Sequence, residues 1–398
     1  MIAWLLISFF VLLFLGVPIA MSLGLSAMGG ILFLGGGSTV TIAQRMFEGM
    51  NSFALLAIPL YTFAGFTMSK GGISKRLMDF CYSIVGHIYG GLAHVNVLSS
   101  MIFAGISGSA VADTAGCLLY TSDAAGMFMP EMVRKGYSKN FTVAVTAISS
   151  TIGIIIPPSI PMVVIAGICG ISTGKLFLGG IIPGVLCGLA QMIVSYFMAK
   201  KEGVPKEPGH FTIGPVLHGL WESWPALLMP IIIVGTITMG IVSPTEAGVI
   251  AVVYGLFAGG IIYRELKWED IKFAFAETVR TSGRIFIVIG AAKLYTVMLT
   301  TAGFDKWVAK TMLGFSTNPT VILIVILLIF FIVTMFMESI ATLTLFMPIL
   351  YPIALGVGIN PIVLSVLITV VIGVGLVTPP VGMCIYVACD LMDVTVGE

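Results

Sequence analysis

Two proline pairs inside apolar segments are the residues of this sequence that could most clearly do chemistry. Each pair follows a glycine after three intervening residues, in GIIIPP (153–158) and GLVTPP (375–380). A proline pair removes two backbone donors and disfavours helix in the residue before it, so a helix must break there. Carbonyl oxygens released in a membrane must face protein or a polar cavity, where they can coordinate a cation. The pairs therefore predict two cation sites; kinks that serve packing alone are the alternative, and they fit a single pair better than a matched one.

The segments upstream of the two pairs also correspond, in the same order. They are an FMP element and, before it, a cluster of small and polar residues: MFMP (127–130), LFMP (345–348), GISGSAVADTAG (105–116) and MESIATLTL (337–345). Small residues permit close backbone approach, so each cluster suits the tip of a re-entrant hairpin, and its hydroxyl groups could add oxygen ligands for Na⁺. Asp113 and Glu338 lie in these clusters at membrane depth, where a charge is costly, which favours a functional role. Helix packing through small residues is the alternative, and it leaves both carboxylates unexplained.

The elements that must hold these segments are membrane helices. Of the 398 residues 58% are apolar and 9% are charged, whereas about a quarter of a soluble domain is charged. This composition excludes a soluble enzyme, a nucleic-acid-binding protein and a disordered scaffold. Apolar runs of helical length recur without sustained strand alternation, and a helix satisfies its own backbone in lipid. The sequence therefore predicts an all-α polytopic membrane protein, whose apolar N-terminus is a first membrane helix rather than a cleaved signal peptide.

A polar connector, KKEGVPKEP (200–208), separates two halves that we place at 1–205 and 206–398. Each half should contain one hairpin and one helix broken at its proline pair: hairpins near 90–130 and 323–350, and broken helices near 141–168 and 362–389. The charged segment at 263–280 is amphipathic and is predicted to lie along the membrane interface.

These segments together resemble the large membrane subunit of the tripartite ATP-independent periplasmic (TRAP) transporters. The matching stretches cover nearly the whole chain: AIPLYTFAGFTMSKGGIS (57–74), GGLAHVNVLSSMIFAGISGSAVADTAG (90–116), MVRKGYSKNF (132–141), IIPPSIPMVV (155–164), GIVSPTEAGVIAVVYG (240–255) and GLVTPPVG (375–382). The resemblance implies a Na⁺-coupled symporter that imports an organic anion, a carboxylate, from a periplasmic binding protein. It also implies a small membrane subunit as partner, a multi-pass location in the bacterial inner membrane, and inverted repeats whose transport domain moves against a scaffold like an elevator.

The resemblance further implies which residues bind the ions and the substrate. One Na⁺ site would use the hydroxyl groups of the first hairpin tip and backbone around the first proline pair: Ser107, Ser109, Gly153, Ile156 and Pro158. The other would combine the second tip at 337–342 with the second broken helix: Ser339, Thr342, Gly375, Thr378 and Val381. The substrate would lie between the tips, near Gly108, Asp113, Pro157 and Pro379. No cofactor other than the coupling Na⁺ is expected, and Na⁺ is favoured over H⁺ because carbonyl and hydroxyl oxygens suit it.

Two segments depart from the family pattern. CLLYTSDAA (117–125) fits no part of it and is interpreted as an insertion beside the first hairpin. Family members continue into a further membrane helix after the segment that corresponds to TPPV, so this sequence, ending in MDVTVGE, is expected to be truncated.

Two other functions are compatible with parts of the sequence. An intramembrane serine protease would use Ser107 in GISG (105–108), but that chemistry needs a histidine base within hydrogen-bond reach. His87 and His94 precede the serine and His210 and His218 lie in or beside the connector, so we predict that the protein is not an enzyme. An ion channel agrees with the composition, whereas matched broken helices favour alternating access.

Overall fold

The computed structural model of the chain describes residues 1–34, 38–108, 110, 128–204, 212–390, 392 and 394–395. Within these ranges all regular structure is helical, which confirms the all-α class predicted from composition. Six helices in the described part are long and apolar enough to cross a membrane: Phe53–Lys70, Thr173–Lys201, Ile213–Thr238, Pro244–Ile262, Trp268–Thr301 and Ser339–Gly356. Several predictions fall outside the described residues, namely those on Ser109, Asp113, segment 117–125, the boundary at 205–206 and, for its side chain, Ser107.

The described part of the chain contains eighteen α-helices. They are α1 (Ile2–Phe14), α2 (Ile19–Leu34), α3 (Thr39–Met50), α4 (Ala57–Lys70), α5 (Ile73–Val85), α6 (Gly91–Ser107), α7 (Phe128–Arg134), α8 (Lys139–Ser150), α9 (Ile160–Cys169), α10 (Thr173–Lys201), α11 (Ile213–Thr238), α12 (Pro244–Phe257), α13 (Trp268–Thr301), α14 (Phe304–Phe315), α15 (Pro319–Thr334), α16 (Ser339–Gly356), α17 (Pro361–Gly375) and α18 (Met383–Asp390).

Serine and asparagine side chains set where several of these helices begin. Ser138 precedes α8, and its hydroxyl accepts a hydrogen bond from the Phe141 amide at 3.1 Å. Asn318 and Asn360 cap α15 and α17 in the same way, and each is followed by a proline at the first helical position. A proline there has no N–H to leave unpaired, so cap and proline together fix the start of the helix.

Both segments that carry a proline pair are interrupted helices. α8 passes into a 3₁₀ turn at Thr151–Ile154, and helix resumes as α9. α17 ends at Gly375, and helix resumes as α18. We call residues 151–159 the first break and residues 376–382 the second break. The peptide bond within each proline pair is cis.

Helices from the two predicted halves pack directly against each other. α4 lies against α12 and α13. Gly71 and Gly259 bring two of these segments together backbone to backbone, because a Cβ added to Gly71 would lie 2.9 Å from the Gly259 Cα. The Tyr61 hydroxyl donates to the Pro244 carbonyl at 2.9 Å across the same contact. The first half is therefore anchored on the second along this line.

The charged segment predicted at 263–280 is not a separate interfacial helix. Most of it is the start of α13, a continuous helix of 34 residues. At about 1.5 Å per residue such a helix is about 51 Å long, well beyond the ~30 Å hydrocarbon core of a bilayer. The structure therefore shows that the charged segment continues into an apolar helix of membrane-spanning length, a continuity that the sequence pattern alone did not indicate.

Candidate functional site

The first break is shaped by one serine. The Ser159 hydroxyl donates to the Ile154 carbonyl at 2.5 Å and accepts the Met162 amide at 3.3 Å, so it caps α9 and closes the turn that ends α8. Pro157 and Pro158 are buried. The Ile154 carbonyl is therefore satisfied by the serine, which leaves the carbonyls on either side of it as candidate ligands.

The end of the first hairpin arm contacts the first break through its backbone. The Gly108 carbonyl, just after α6, accepts the Ile160 amide at 3.1 Å. Gly108 has a φ of +64°, and a Cβ there would lie 2.6 Å from the Pro158 carbonyl oxygen. Only glycine suits both the conformation and the space. The structure thus brings predicted residues Gly108 and Pro158 together, with Gly153 in the adjoining 3₁₀ turn.

The second break lies against the end of the second hairpin arm in a related way. The Val381 amide donates to the Met335 carbonyl, just after α15, at 3.1 Å. A Cβ added to Gly375 would lie 2.7 Å from the Thr334 Cβ, so α15 and α17 meet closely where both end. The Thr378 hydroxyl donates to the Val374 carbonyl at 2.6 Å. The end of α15 is therefore joined by a backbone hydrogen bond to the second break, as the end of α6 is joined to the residue that directly follows the first break.

The turn of the second hairpin is organised by Glu338. Its carboxylate accepts the amides of Ile340 and Ala341 at 3.0 and 3.3 Å and the Ser339 hydroxyl at 2.8 Å. The buried Thr342 hydroxyl donates to the Glu338 carbonyl at 3.1 Å. Glu338, which the sequence indicated as functional, is thus the N-cap of α16, and a carboxylate is well placed at a helix N-terminus.

The two breaks lie near each other. α9 packs on α16, and α18 packs on α8. A Cβ added to Gly373, near the end of α17, would lie 3.4 Å from the Thr151 Cβ in the first break. The breaks differ in exposure, because Pro379 and Pro380 are exposed whereas the first proline pair is buried.

The oxygens at both breaks suit a hard, weakly polarising cation. The atoms available there to coordinate a cation are the oxygens of backbone carbonyls and of side-chain hydroxyls. In the described part of the chain, histidine, cysteine, aspartate and glutamate form no group of three or more that could hold a metal ion. Oxygen atoms of this kind would suit an alkali-metal cation better than a transition-metal ion.

Sequence reasoning missed two features beside the first break. One is a buried polar cluster formed by α6 and α8: Asn96, Ser99, Ser100, Thr146, Ser149 and Ser150. The other is a row of glycines on α10 that faces the first break and α6: Gly180, Gly184 and Gly188. Both leave a signal in the sequence, since each set recurs at intervals of three or four residues and so lies on one helix face.

Comparison with known proteins places the chain in a family. A family profile described as "Tripartite ATP-independent periplasmic transporter, DctM component" matches residues 6–398. The sialic acid TRAP transporter large permease protein SiaM of Vibrio cholerae is 35% identical over 96% of this chain and 88% of its own length. The C4-dicarboxylate TRAP transporter large permease protein DctM of Pseudomonas aeruginosa is 36% identical over 94% of this chain and 86% of its own length. The isethionate TRAP transporter permease protein DctMQ of Oleidesulfovibrio alaskensis is 36% identical over 98% of this chain, which spans 60% of that relative.

Solved structures are similar in fold. The Alcanivorax borkumensis YdaH transporter matches 90% of this chain and 81% of its own, with a TM-score of 0.59 and 14% identity. Neisseria gonorrhoeae MtrF, described within a class of antimetabolite efflux pumps, matches 90% and 78%, with a TM-score of 0.54 and 13% identity. At these identities they support the multi-pass membrane fold alone. The family match over nearly all residues and the relatives above 30% identity show that this chain belongs to the DctM component family of the tripartite ATP-independent periplasmic transporters.

Proposed function

We propose that this chain is the large permease subunit of a Na⁺-coupled importer of an organic anion in the bacterial inner membrane. One observation carries the proposal beyond family membership. In both halves the residue just after a helix accepts a backbone hydrogen bond at or directly beside a break, each at 3.1 Å: Gly108 after α6 accepts the amide of Ile160, the first residue after the first break, and Met335 after α15 accepts the amide of Val381 in the second break. Paired broken helices at matching positions are how secondary transporters form midplane sites.

Two Na⁺ ions would bind in these breaks. Carbonyls of Gly153, Ile156 and Pro158 would serve the first site, with the Ser107 and Ser109 hydroxyls from the hairpin tip. Carbonyls of the second break and the hydroxyls near the second turn would serve the second: Ser339, Thr342, Gly375, Thr378 and Val381. Most polar atoms here are oxygens that need no deprotonation, which supports Na⁺ over H⁺ as the coupling ion.

The substrate would be an organic anion held between the hairpin tips. The named relatives are transporters of sialic acid, C4-dicarboxylates and isethionate, all of which are anions at neutral pH. Gly108, Asp113, Pro157 and Pro379 are the proposed neighbours of the substrate. The close approach of Gly108 to Pro158 supports grouping these residues, because a Cβ on Gly108 would lie 2.6 Å from the Pro158 carbonyl oxygen.

Transport would need two partners, a small membrane subunit and a periplasmic binding protein. The family description is of a tripartite periplasmic system, and relatives carry names that distinguish a large permease. The transport domain, which contains the hairpins and breaks, would move against a scaffold in an elevator fashion. The interlock of α4 with α12 and α13 supports such a scaffold, because it lies apart from the breaks in sequence.

Uptake into proteoliposomes tests the proposal. Vesicles containing this chain and its small subunit are supplied with binding protein loaded with labelled C4-dicarboxylate, sialic acid or isethionate. We expect saturable uptake of one anion that requires an inward Na⁺ gradient and stops when an ionophore collapses it. We expect vesicles with this chain alone to import nothing, because it contains mostly apolar residues and no described soluble domain that could capture a ligand.

Each other result contradicts a part of the proposal. Uptake driven by a proton gradient in the absence of Na⁺ would show that H⁺, and not Na⁺, is the coupling ion. Ionic current that persists without binding protein would indicate a channel. Robust uptake by the isolated chain would remove the requirement for partners.

A further inference from the structure

A buried polar cluster joins the first hairpin arm to the helix that precedes the first break. The Asn96 side-chain nitrogen on α6 donates to the Thr146 hydroxyl on α8 at 2.7 Å. The Ser149 hydroxyl lies 3.3 Å from the Asn96 Oδ1, and the Ser100 hydroxyl donates to the Ser149 Oγ at 3.2 Å. All four side chains belong to residues no more than 2% exposed. We call these four residues the α6–α8 polar cluster.

The cluster selects one register between the two helices. Asn96 offers a donor and an acceptor to different residues of α8, so sliding α8 by one residue would break both contacts. The apolar side chains around the cluster do not provide the same discrimination, because membrane helices are not driven together by the hydrophobic effect. An amide left unpaired in this interior would be costly, which penalises other registers.

The register matters because both helices lead directly into the first break. α8 passes from Ser149 and Ser150 straight into the 3₁₀ turn at Thr151–Ile154. α6 ends where the Gly108 carbonyl accepts the Ile160 amide at 3.1 Å. The polar cluster therefore holds α6 to α8 before the turn, and this backbone bond holds the end of α6 to the start of α9 after it. If α8 shifted, it would carry the break carbonyls away from the hairpin arm.

We propose that the α6–α8 polar cluster is a positioning device that sets the affinity of the first break for Na⁺. The inference rests on the proposed function, because it takes the carbonyls of the first break as cation ligands. The cluster residues are positioning residues and not ligands, since their polar atoms lie within hydrogen-bond distance of one another. They act through the backbone that they hold.

Thr146→Val tests the proposal because it deletes the hydroxyl and keeps the branched volume. Thr142→Val is a matched control: Thr142 is equally buried on α8, but its hydroxyl donates locally, to the Ser138 carbonyl at 2.9 Å. Thr146→Ser restores the hydroxyl and serves as the rescue. Ser100→Ala removes one contact at the edge of the cluster and replaces Thr146→Val if that variant does not fold.

The measurement is thermal stabilisation of the purified chain by NaCl, with choline chloride holding the ionic strength constant. Stabilisation by a ligand that binds the folded state rises with its concentration over its dissociation constant, so the curve gives the half-saturating Na⁺ separately from the melting temperature without Na⁺. The cluster can change the free energy of Na⁺ binding at the first break by no more than the free energy that its own hydrogen bonds contribute. We therefore expect Thr146→Val to raise the half-saturating Na⁺ by about 3- to 20-fold.

Thr146→Ser and Thr142→Val are expected to stay near the wild-type value. An unchanged half-saturating Na⁺ in Thr146→Val overturns the inference, and so does an equal rise in Thr142→Val, which would indicate general loosening of α8. A wild-type chain that Na⁺ stabilises no more than choline does would instead overturn the proposed Na⁺ site itself, and the inference with it.

Discussion

Thr378 offers an oxygen to the second break while its proton is used elsewhere. Its hydroxyl donates to the Val374 carbonyl, one helical turn back, at 2.6 Å. A hydroxyl has one donor and two acceptor lone pairs, so this bond orients the oxygen and leaves both lone pairs as acceptors. The side chain is partly exposed, which allows an ion to approach it. Thr378 is therefore the side chain in which a direct ligand role is most easily measured.

We expect Thr378→Val to weaken Na⁺ binding while keeping the fold. Losing a polar partner costs about 1–3 kcal/mol, roughly a 5- to 150-fold loss of affinity, and partial exposure favours the lower end. Uptake measured against Na⁺ concentration should show a raised half-saturating value that high Na⁺ partly overcomes.

Thr369→Val is the control for this experiment. Thr369 lies on α17, the helix that leads into the second break, and its hydroxyl donates to the Ser365 carbonyl at 2.8 Å, but it is buried away from the break. Thr378→Ser should behave like the wild type because it retains the oxygen. If Thr378→Val leaves the Na⁺ dependence unchanged, Thr378 is not a ligand.

Glu246 illustrates a charged residue with a structural role. It lies in the first turn of α12 and forms a capping box with Ser243: its carboxylate accepts the Ser243 amide at 2.7 Å while the Ser243 hydroxyl accepts the Glu246 amide at 3.3 Å. Because glutamine can also complete this capping box, Glu246→Gln should keep most of the thermal stability of the purified chain, and Glu246→Ala should lower it. Normal melting of Glu246→Ala together with lost Na⁺ dependence of uptake would contradict a capping role.

Residue types predicted where the helices are interrupted better than they predicted the roles of individual side chains. The proline pairs required free carbonyls, and these could be anticipated because proline lacks an N–H wherever it lies. The role of Glu338 could not be predicted from the sequence, because the sequence is the same whether a carboxylate at membrane depth caps a helix or binds an ion. Only its contacts with the amides of Ile340 and Ala341 show the cap.

At the scale of elements, α10 provides the surface against which the first break rests. A Cβ added to Gly180 would lie 2.5 Å from the Ile155 carbonyl oxygen, and one added to Gly184 would lie 2.4 Å from the Ile156 Cγ1. Further along the same face, a Cβ on Gly188 would lie 2.4 Å from the Met101 Sδ of α6. The glycines therefore let one helix approach both the break and the hairpin arm.

We expect Gly180→Ala to destabilise the protein and to disturb the first break. The added methyl group meets a backbone oxygen, which cannot rotate away, and overpacking of this kind costs about 1–3 kcal/mol. Thermal unfolding in detergent, with and without Na⁺, measures both effects. The control is Gly235→Ala on α11, where nothing lies within 4 Å of the added Cβ; there the loss of glycine's flexibility in the unfolded chain should leave stability unchanged or slightly higher. Equal melting temperatures for the two variants would contradict the role of this row.

The places where helices break can be predicted from the local sequence. The helices that pack against each break cannot. The interruptions in α8–α9 and α17–α18 lie at the proline pairs, where the sequence places them, because proline acts on its own chain. Which helix covers a break depends on packing between distant segments. The glycines of α10 could be read as a small-residue face, but nothing local indicates that this face meets Ile155 and Ile156.

At the scale of the whole molecule, a cluster around Arg76 joins the two halves near the membrane surface. Arg76 pairs with Glu265 at 2.7 Å, and its guanidinium lies 4.2 Å from the centre of the Tyr263 ring. The Ser223 hydroxyl donates to the Arg76 carbonyl at 2.8 Å, and the Tyr263 hydroxyl donates to the Glu222 carbonyl at 2.8 Å. Burial raises the pKa of Tyr263 to about 12, so it remains a protonated donor at neutral pH.

We expect Arg76→Gln to lower the free energy of unfolding by about 1–2 kcal/mol, because it removes a cation–π contact and an ion pair that are only partly solvated. Arg45→Gln is a matched control, since Arg45 also pairs with a glutamate at 2.7 Å, but within one exposed helix turn. That exposed pair should contribute little. Denaturant or thermal unfolding of both variants measures the difference. If both variants lose the same free energy of unfolding, the Arg76 cluster contributes no more to stability than an exposed ion pair does.

The class of the molecule could be predicted from composition, but not the way its halves associate. Apolar runs and low charge require membrane helices in any arrangement. The contact of Gly71 with Gly259 depends on two glycines far apart in the chain, each unremarkable in its own segment. The single long helix at 268–301 likewise depends on its continuation into lipid, and not on the charged residues with which it begins.

The unequal exposure of the two proline pairs has a consequence for the timing of transport. Pro157 and Pro158 are buried, whereas Pro379 and Pro380 are exposed. An ion leaves a site along the path by which water enters it, so an ion in the second break should exchange with solution faster than one in the first. Of two proposed sites in halves with related sequences, the one in the second break would then both fill and empty faster. The two halves can therefore have related sequences and still exchange their ions with solution at different rates.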